Sequence, residues 1–331
     1  MNHASEPGYL RYYTMLEQYQ QTQILFTALR LNLFTHMSDW ISAQQIAAKT
    51  GYNESTLKHF LLSLSALGFL EGDGDSYRNT SDSQDFFSKD SPHFIGETLL
   101  FREKMTSLEH LDQFITGEIK RTSSYDFAKL AQVTAPEMYA TGRVNSFLEE
   151  VKQLFPDQTT PAKVLDLGGG SGILAMEFAK LFPNSTAVVF EHPAVAVASR
   201  EILQEHNAPE NVSVIEGDFK QDSFGGPYDL LIASGVLDFA ADNLSQFLQK
   251  TADALSPNGY LLIIGQLSNN QEQPPQRLVS WLTGRLNGLQ LAPSGSDVES
   301  TLKKAGVIRL REVSAGRFRG LLYQKGKSCN E

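Results

Sequence analysis

Lys163-Val-Leu-Asp-Leu-Gly-Gly-Gly-Ser-Gly-Ile-Leu-Ala175 decides the fold. An apolar β-branched run meets four glycines in five residues and then turns into a helix-forming stretch, the pattern of a buried strand that bends sharply into a helix. Glycine permits positive φ and lets a ligand approach the backbone, so such a turn is suited to a nucleotide-type cofactor at a helix N-terminus.

Short apolar runs recur downstream at Thr186–Phe190, Val212–Ile215, Tyr228–Ala233 and Tyr260–Ile264, each separated by a helical pattern. Strand and helix in alternation imply a doubly wound α/β domain with a parallel sheet. Val307–Val313 and Phe318–Tyr323 are separated only by Ser314-Ala-Gly316-Arg317, too short for a parallel crossover, so they predict a terminal antiparallel hairpin.

Upstream, Leu10, Leu16, Ile24, Leu25, Ala28, Leu29 and Leu33 predict an amphipathic helix over 9–33. Ser42 and Asn53 stand where helix N-caps belong, on either side of the break Thr50-Gly51-Tyr52, and the stretch Phe69–Tyr77 reads as a hairpin. Helix-turn-helix followed by a hairpin predicts a winged-helix domain over 1–93. Residues 94–160 then read as a helical connector broken at Thr116-Gly117 and Ala135-Pro136, and 161–331 as the cofactor-binding domain.

The 331 residues carry a net charge of −10, which disfavours a general affinity for nucleic acid or anionic membranes. Residues 1–90 hold six Lys/Arg against ten Asp/Glu, so the winged-helix module does not read as a DNA binder. With Cys329 the single cysteine, neither an intramolecular disulfide nor a thiolate metal cluster can form, and no metal site is expected. A reducing cytoplasm fits this usage. No basic-then-apolar N-terminal segment and no run of about 18 apolar residues occurs, so no membrane span is expected.

Two cofactor classes compete for the glycine loop. Gly170-Ser-Gly172-Ile-Leu-Ala175 also satisfies the dinucleotide fingerprint, with Glu191 placed 19 residues after Gly172, and an NAD(P)-dependent oxidoreductase is the alternative on that ground. Asp166 two residues before the first glycine, a single compact sheet domain and the terminal hairpin favour S-adenosyl-L-methionine.

With these features the chain resembles the class I S-adenosylmethionine-dependent methyltransferases, and within them the small-molecule O-methyltransferases that carry an N-terminal winged-helix dimerisation domain. The acidic-x-Gly-x-Gly-x-Gly motif is met by Asp166, Gly168, Gly170 and Gly172. The resemblance implies a homodimer paired through the N-terminal domain and a small-molecule acceptor. It implies that Glu191 accepts hydrogen bonds from the cofactor ribose, that Asp218 and Phe219 of Gly217-Asp-Phe219 flank the adenine, and that Ser234 also faces the cofactor. By family position Met105, Met138, Tyr139, Arg143 and Trp281 are candidates for the acceptor pocket, with Tyr12 or Tyr13 candidates to reach a partner subunit's site. Arg143 is also suited to hold a carboxylate.

The catalytic segment departs from the family. Where members that methylate hydroxyls carry a Val-Leu-His-Asp-Trp-like run, this chain has Val236-Leu-Asp238-Phe239-Ala240, and no histidine occurs from 207 to 331. The glutamate that orients that histidine is replaced by Gly265, and the later Glu-Arg-Thr-like segment by Ser294-Gly-Ser-Asp297. Three readings follow. Asp238 is the base; or the acceptor is a sulfur, carbon or nitrogen that needs little activation; or the domain binds cofactor without transferring methyl, as a regulator with a DNA-binding module, with Asp238 only a cap for the helix after it.

Overall fold

The computed structural model describes residues 8–119, 125–157, 159–265, 267, 275–286, 293–315 and 318–326. Residues 268–274, Gly316, Arg317 and Cys329 lie outside the described residues. The chain divides into two compact units, residues 1–102 and 103–331.

In the first unit α1 (Leu10–Arg30) is followed by β1 (Ile41–Ser42), α2 (Ala43–Thr50), α3 (Glu54–Ala66), β2 (Leu70–Asp73), β3 (Ser76–Asn79) and α4 (Ser81–Phe87). The strands form a small antiparallel sheet in the order β1-β3-β2. Both predicted caps are present. Ser42 Oγ accepts from the Gln45 amide while Gln45 Oε1 accepts from the Ser42 amide, a capping box, and Asn53 Oδ1 accepts from the Thr56 amide. Leu33, Ile46, Leu61 and Leu64 are fully buried at the centre of this unit's core.

α5 (Gly96–Met105) contains the point where the two units part. The second unit continues with α6 (Leu111–Thr116), α7 (Phe127–Ala140) and α8 (Arg143–Leu154). Gly117 ends α6 in the left-handed conformation, as the break predicted at Thr116-Gly117 requires. The break predicted at Ala135-Pro136 is absent, for Pro136 sits inside α7. The carbonyl that loses its helical partner there belongs to Gln132, four residues back on an exposed position where water can satisfy it.

The sheet follows as β4 (Lys163–Leu167), β5 (Thr186–Glu191), β6 (Val212–Glu216), β7 (Tyr228–Ser234), β8 (Leu255–Ile264), β9 (Val307–Ala315) and β10 (Phe318–Lys325). Interleaved with the strands are α9 (Ile173–Leu181), α10 (Pro193–Glu205), the single-turn α11 (Leu237–Ala240), α12 (Leu244–Asp253), α13 (Pro275–Leu286) and α14 (Gly295–Lys304). The strand order is β6-β5-β4-β7-β8-β10-β9, parallel except for β10, which runs antiparallel to both β8 and β9 and forms the predicted hairpin with β9. Val164, Leu165 and Leu167 of central β4 are all fully buried because helices cover both faces of the sheet, and that is why the strand reads as a continuous apolar run.

After β4 the chain winds outward through β5 and β6, then crosses back to β7 on the other side of β4. In an open α/β sheet such a reversal opens a crevice at the carboxyl ends of the two strands concerned. Here those ends carry Gly168 and Ser234. Among the described residues no helix is long and apolar enough to cross a membrane.

Candidate active site

Gly168, Gly170 and Gly172 have φ of +65°, +54° and +71°, a left-handed conformation that side chains rarely adopt. At Gly168 a Cβ would also stand 2.9 Å from Val236 Cγ2, so the loop lies against the segment after β7 with no room for a side chain. Among the described residues a Cβ at Gly170 would meet only the Ala131 methyl, at 3.8 Å, so they leave that edge of the loop open. The loop is clamped from both sides. The Gly170 amide donates to Glu191 Oε2 at 2.9 Å, and the Gly170 carbonyl accepts from the Ser199 hydroxyl of α10.

Asp166 is fully buried beneath this loop, its carboxyl lying 2.7 Å from where a Gly169 Cβ would be. It accepts from the Ala175 amide and feels the Arg143 guanidinium, yet burial first and the Glu191 carboxylate second push it up to about 7. Among the described residues its Oδ1 has no hydrogen-bond partner. Glu191 is only 7% exposed, so it is no solvated strand-end acid. Its Oε1 accepts from the His192 amide at 2.8 Å, and burial raises its pKa despite both amide donors.

Asp218 and Phe219 lie in the loop after β6, both half-buried. Asp218 Oδ1 accepts from the Lys220 amide at 2.8 Å, and the Phe219 ring packs edge-on against Phe239 and Phe247, each at 6.3 Å. Ser234 closes β7, and the next amide, of Gly235, donates to the Ile264 carbonyl at 2.9 Å. Asp238 is half-buried in the first turn of α11, with Phe239 beside it packed on Phe127 at 5.0 Å. It does not cap the following helix, whose N-cap position is Asn243. The cap reading fails because the chain is already helical at Leu237.

The candidate acceptor residues fare differently. Met138 is buried and its Sδ accepts from Ser171 Oγ at 3.4 Å, which places it against the glycine loop. Arg143 opens α8 directly after the left-handed Gly142 and is near enough to Asp166 to lower its pKa. Tyr139 is turned to other work, its hydroxyl donating to Glu177 Oε1 at 2.9 Å and its ring stacked on His206 at 6.1 Å. Met105 ends α5, half-buried. Trp281 lies on α13, with its side chain outside the described residues.

Two contributors carried no signal in the sequence. Ser199 is an ordinary helix serine until α10 is laid beside the loop, and Lys250 of α12 reads as a solvated helix charge, yet its Nζ donates to the Phe219 carbonyl at 2.8 Å.

A glycine-lined crevice at a switch point, with two buried carboxyls beneath and beside it, defines a nucleotide-type cofactor domain. Residues 143–290 match the O-methyltransferase domain family. Acetylserotonin O-methyltransferase of Rattus norvegicus is 26% identical, over 92% of this chain and 74% of that protein. The N,N-dimethyltransferase OxyT of Streptomyces rimosus is 25% identical, over 89% of each. Human N-acetylserotonin methyltransferase, solved in complex with SAM, superimposes with a TM-score of 0.78 at 22% identity, over 99% of this chain and 100% of that one, and so shares the fold. Residues 143–290 thus match an O-methyltransferase domain, and the similarity along most of the chain is to S-adenosylmethionine-dependent methyltransferases. The match decides between the two cofactor classes in favour of S-adenosylmethionine.

Proposed function

We propose that this chain moves a methyl group from S-adenosylmethionine to a small-molecule acceptor whose reacting atom does without a histidine base. The observation that carries the reading is the cradle at Asp166–Gly172. Its fully buried carboxyl with an unpartnered Oδ1 and its open edge at Gly170 suit a polar ligand that brings its own donors.

In this reading Glu191 accepts from the ribose hydroxyls, Asp218 and Phe219 hold the edge and face of the adenine, Ser234 borders the same pocket, and Asp166 receives a donor of the amino-acid end. Arg143 pairs with the carboxylate there. The bound group supplies an electrophilic methyl on a sulfonium. That methyl would pass to the acceptor's lone pair with S-adenosylhomocysteine as the leaving group, and Asp238 would take the proton that the acceptor releases. Met105 and Met138 line the acceptor side, and Tyr139 supports α7. Alignment of acceptor and methyl carries most of the acceleration, worth up to about 7–11 kcal/mol in favourable cases.

Nitrogen has the best support among acceptor atoms that need little activation, because OxyT, similar over 89% of this chain, is an N,N-dimethyltransferase. The first unit we assign as a winged-helix dimerisation module. Its α1 exposes Tyr12, Tyr13, Leu16 and Tyr19, an apolar surface suited to a second copy.

Radiolabelled methyl transfer screened over amines, thiols and phenols, with calorimetric titration of S-adenosylhomocysteine and NAD(H), tests the assignment. We expect micromolar binding of S-adenosylhomocysteine and turnover with an amine. Tight NAD(H) binding with none of S-adenosylhomocysteine would overturn it.

A further inference from the structure

The loop from Gly217 to Gly226 is folded tightly upon Asp218. The Gln221 and Asp222 amides both donate to the Asp218 carbonyl, at 2.9 and 2.7 Å, and the Asp218 amide donates to Asp222 Oδ2 at 2.8 Å. These bonds fix the loop's own shape. They do not fix where the loop stands relative to the sheet, and a second set of contacts does that. Phe224 is buried against Phe190 at 5.4 Å and Phe247 at 5.9 Å, and Lys250 enters from α12.

Lys250 is the third residue after Phe247, on the half-buried flank of an amphipathic helix. Its ammonium donates to the Phe219 carbonyl at 2.8 Å and stands 4.5 Å from the centre of the Phe224 ring, a cation–π contact. The charged groups facing it are Asp218 and Asp222. Burial lowers its pKa and those two carboxylates only partly restore it. The ammonium therefore joins three parts of one loop, the Phe219 carbonyl, the Phe224 ring and the acidic pair, to a helix packed on the sheet.

We propose that Lys250 is a positioning residue for the cofactor's base, pinning the Phe219 carbonyl to α12 so that the Asp218 carboxylate and the Phe219 ring keep the separation that grips a purine. This rests on Asp218 and Phe219 flanking the adenine. Because the Phe219 ring also touches Phe239, the pin holds the base pocket in register with the segment that carries Asp238.

The test is a double-mutant cycle in S-adenosylhomocysteine affinity, measured by calorimetry on the full chain with Lys250→Met, Lys250→Arg, Asp218→Ala and the Lys250→Met/Asp218→Ala pair. Lys250→Met is expected to weaken binding about tenfold, and the loss to fall on the cofactor's KM far more than on kcat. Lys250→Arg is expected to recover most of it, since a guanidinium also donates. The pair is expected to lose less affinity than the two single losses combined, because part of what Lys250 supplies reaches the base through Asp218. Wild-type affinity should decline on the alkaline side as the ammonium deprotonates, and Lys250→Arg should hold its affinity there.

Wild-type affinity in Lys250→Met, or losses that simply add in the pair, overturns the proposal while leaving the base-flanking reading intact. If Asp218→Ala binds as wild type, it is that reading that fails, and the proposal goes with it. Melting temperatures of all four variants separate these outcomes from misfolding, and Lys250→Arg carries the test if Lys250→Met does not fold.

Discussion

On one side of the switch point the loop after β4 presents only its backbone, with three left-handed glycines, an amide held by the Glu191 carboxylate and a carbonyl held by the Ser199 hydroxyl. On the other side α11 and the end of β8 offer side chains, chiefly Asp238, around a backbone that has given its own up at Gly265. The first side is held at several points by its neighbours. The second side is where the chemistry changes while the fold does not. Gly265 makes the point, for its φ of +150° is one that side chains rarely adopt, and the backbone there is set against a glutamate. A cradle of this kind fixes the donor, and the opposite wall remains free to specify the acceptor.

The largest break in this contrast is expected from Asp238→Asn. If the carboxylate takes the acceptor's proton, kcat falls about 100-fold or more while S-adenosylhomocysteine binds as in wild type, and the acid limb of the pH–rate profile disappears. Turnover unchanged across pH would show that the acceptor atom needs no base. The cradle responds in the opposite sense. Gly168→Ala forces a side chain into a left-handed backbone, costing about 1–2 kcal/mol, and sets a methyl 2.9 Å from Val236 Cγ2. Cofactor affinity is expected to fall about 10- to 30-fold by calorimetry, with the rate at saturation changed much less.

A smaller effect separates the two sides by pH. The folded state holds the Asp166 proton up to about 7, against 3.8 ordinarily. Asp166 therefore contributes stability that is complete below pH 3.8 and is lost as the pH climbs to about 7. Glu191, also raised by burial, adds a loss of the same sign. Thermal melts of the apo protein between pH 4 and 8 should show the decline, and Asp166→Asn should flatten it. A melting temperature that climbs over that window would contradict the buried-acid account.

The cradle was legible because its chemistry is local. Four glycines, an acid two residues before them and a strand-to-helix switch occupy one short segment, and the strands around it announce themselves by β-branched runs. Ser199 and Lys250 were not legible, because each acts on a loop 29 or 31 residues away and nothing in α10 or α12 marks the residue that turns toward it. Pro136 misled for a related reason. A proline ends a helix only when the carbonyl it orphans has no other partner, and the exposure of Gln132 is a property of the fold. Asp238 lies between these cases. Its position was legible, but whether it caps a helix depended on where α11 begins, and boundaries are set by tertiary contacts.

Tyr139 gives the smallest and sharpest test. Sequence position makes it a neighbour of Met138 and a candidate for the acceptor wall, yet successive helical residues point about 100° apart, so the two cannot both face the glycine loop. Met138 takes that direction, toward Ser171, and Tyr139 the other, where Glu177 holds its hydroxyl and burial with that hydrogen bond raises its pKa. Tyr139→Phe removes one neutral-to-charged hydrogen bond at a half-buried site and leaves the ring on His206, so about 1 kcal/mol of stability should be lost in denaturant melts. Cofactor affinity and kcat should not move. A change in acceptor KM without that loss of stability would return Tyr139 to the acceptor wall and enlarge the variable side of the site by one helix face.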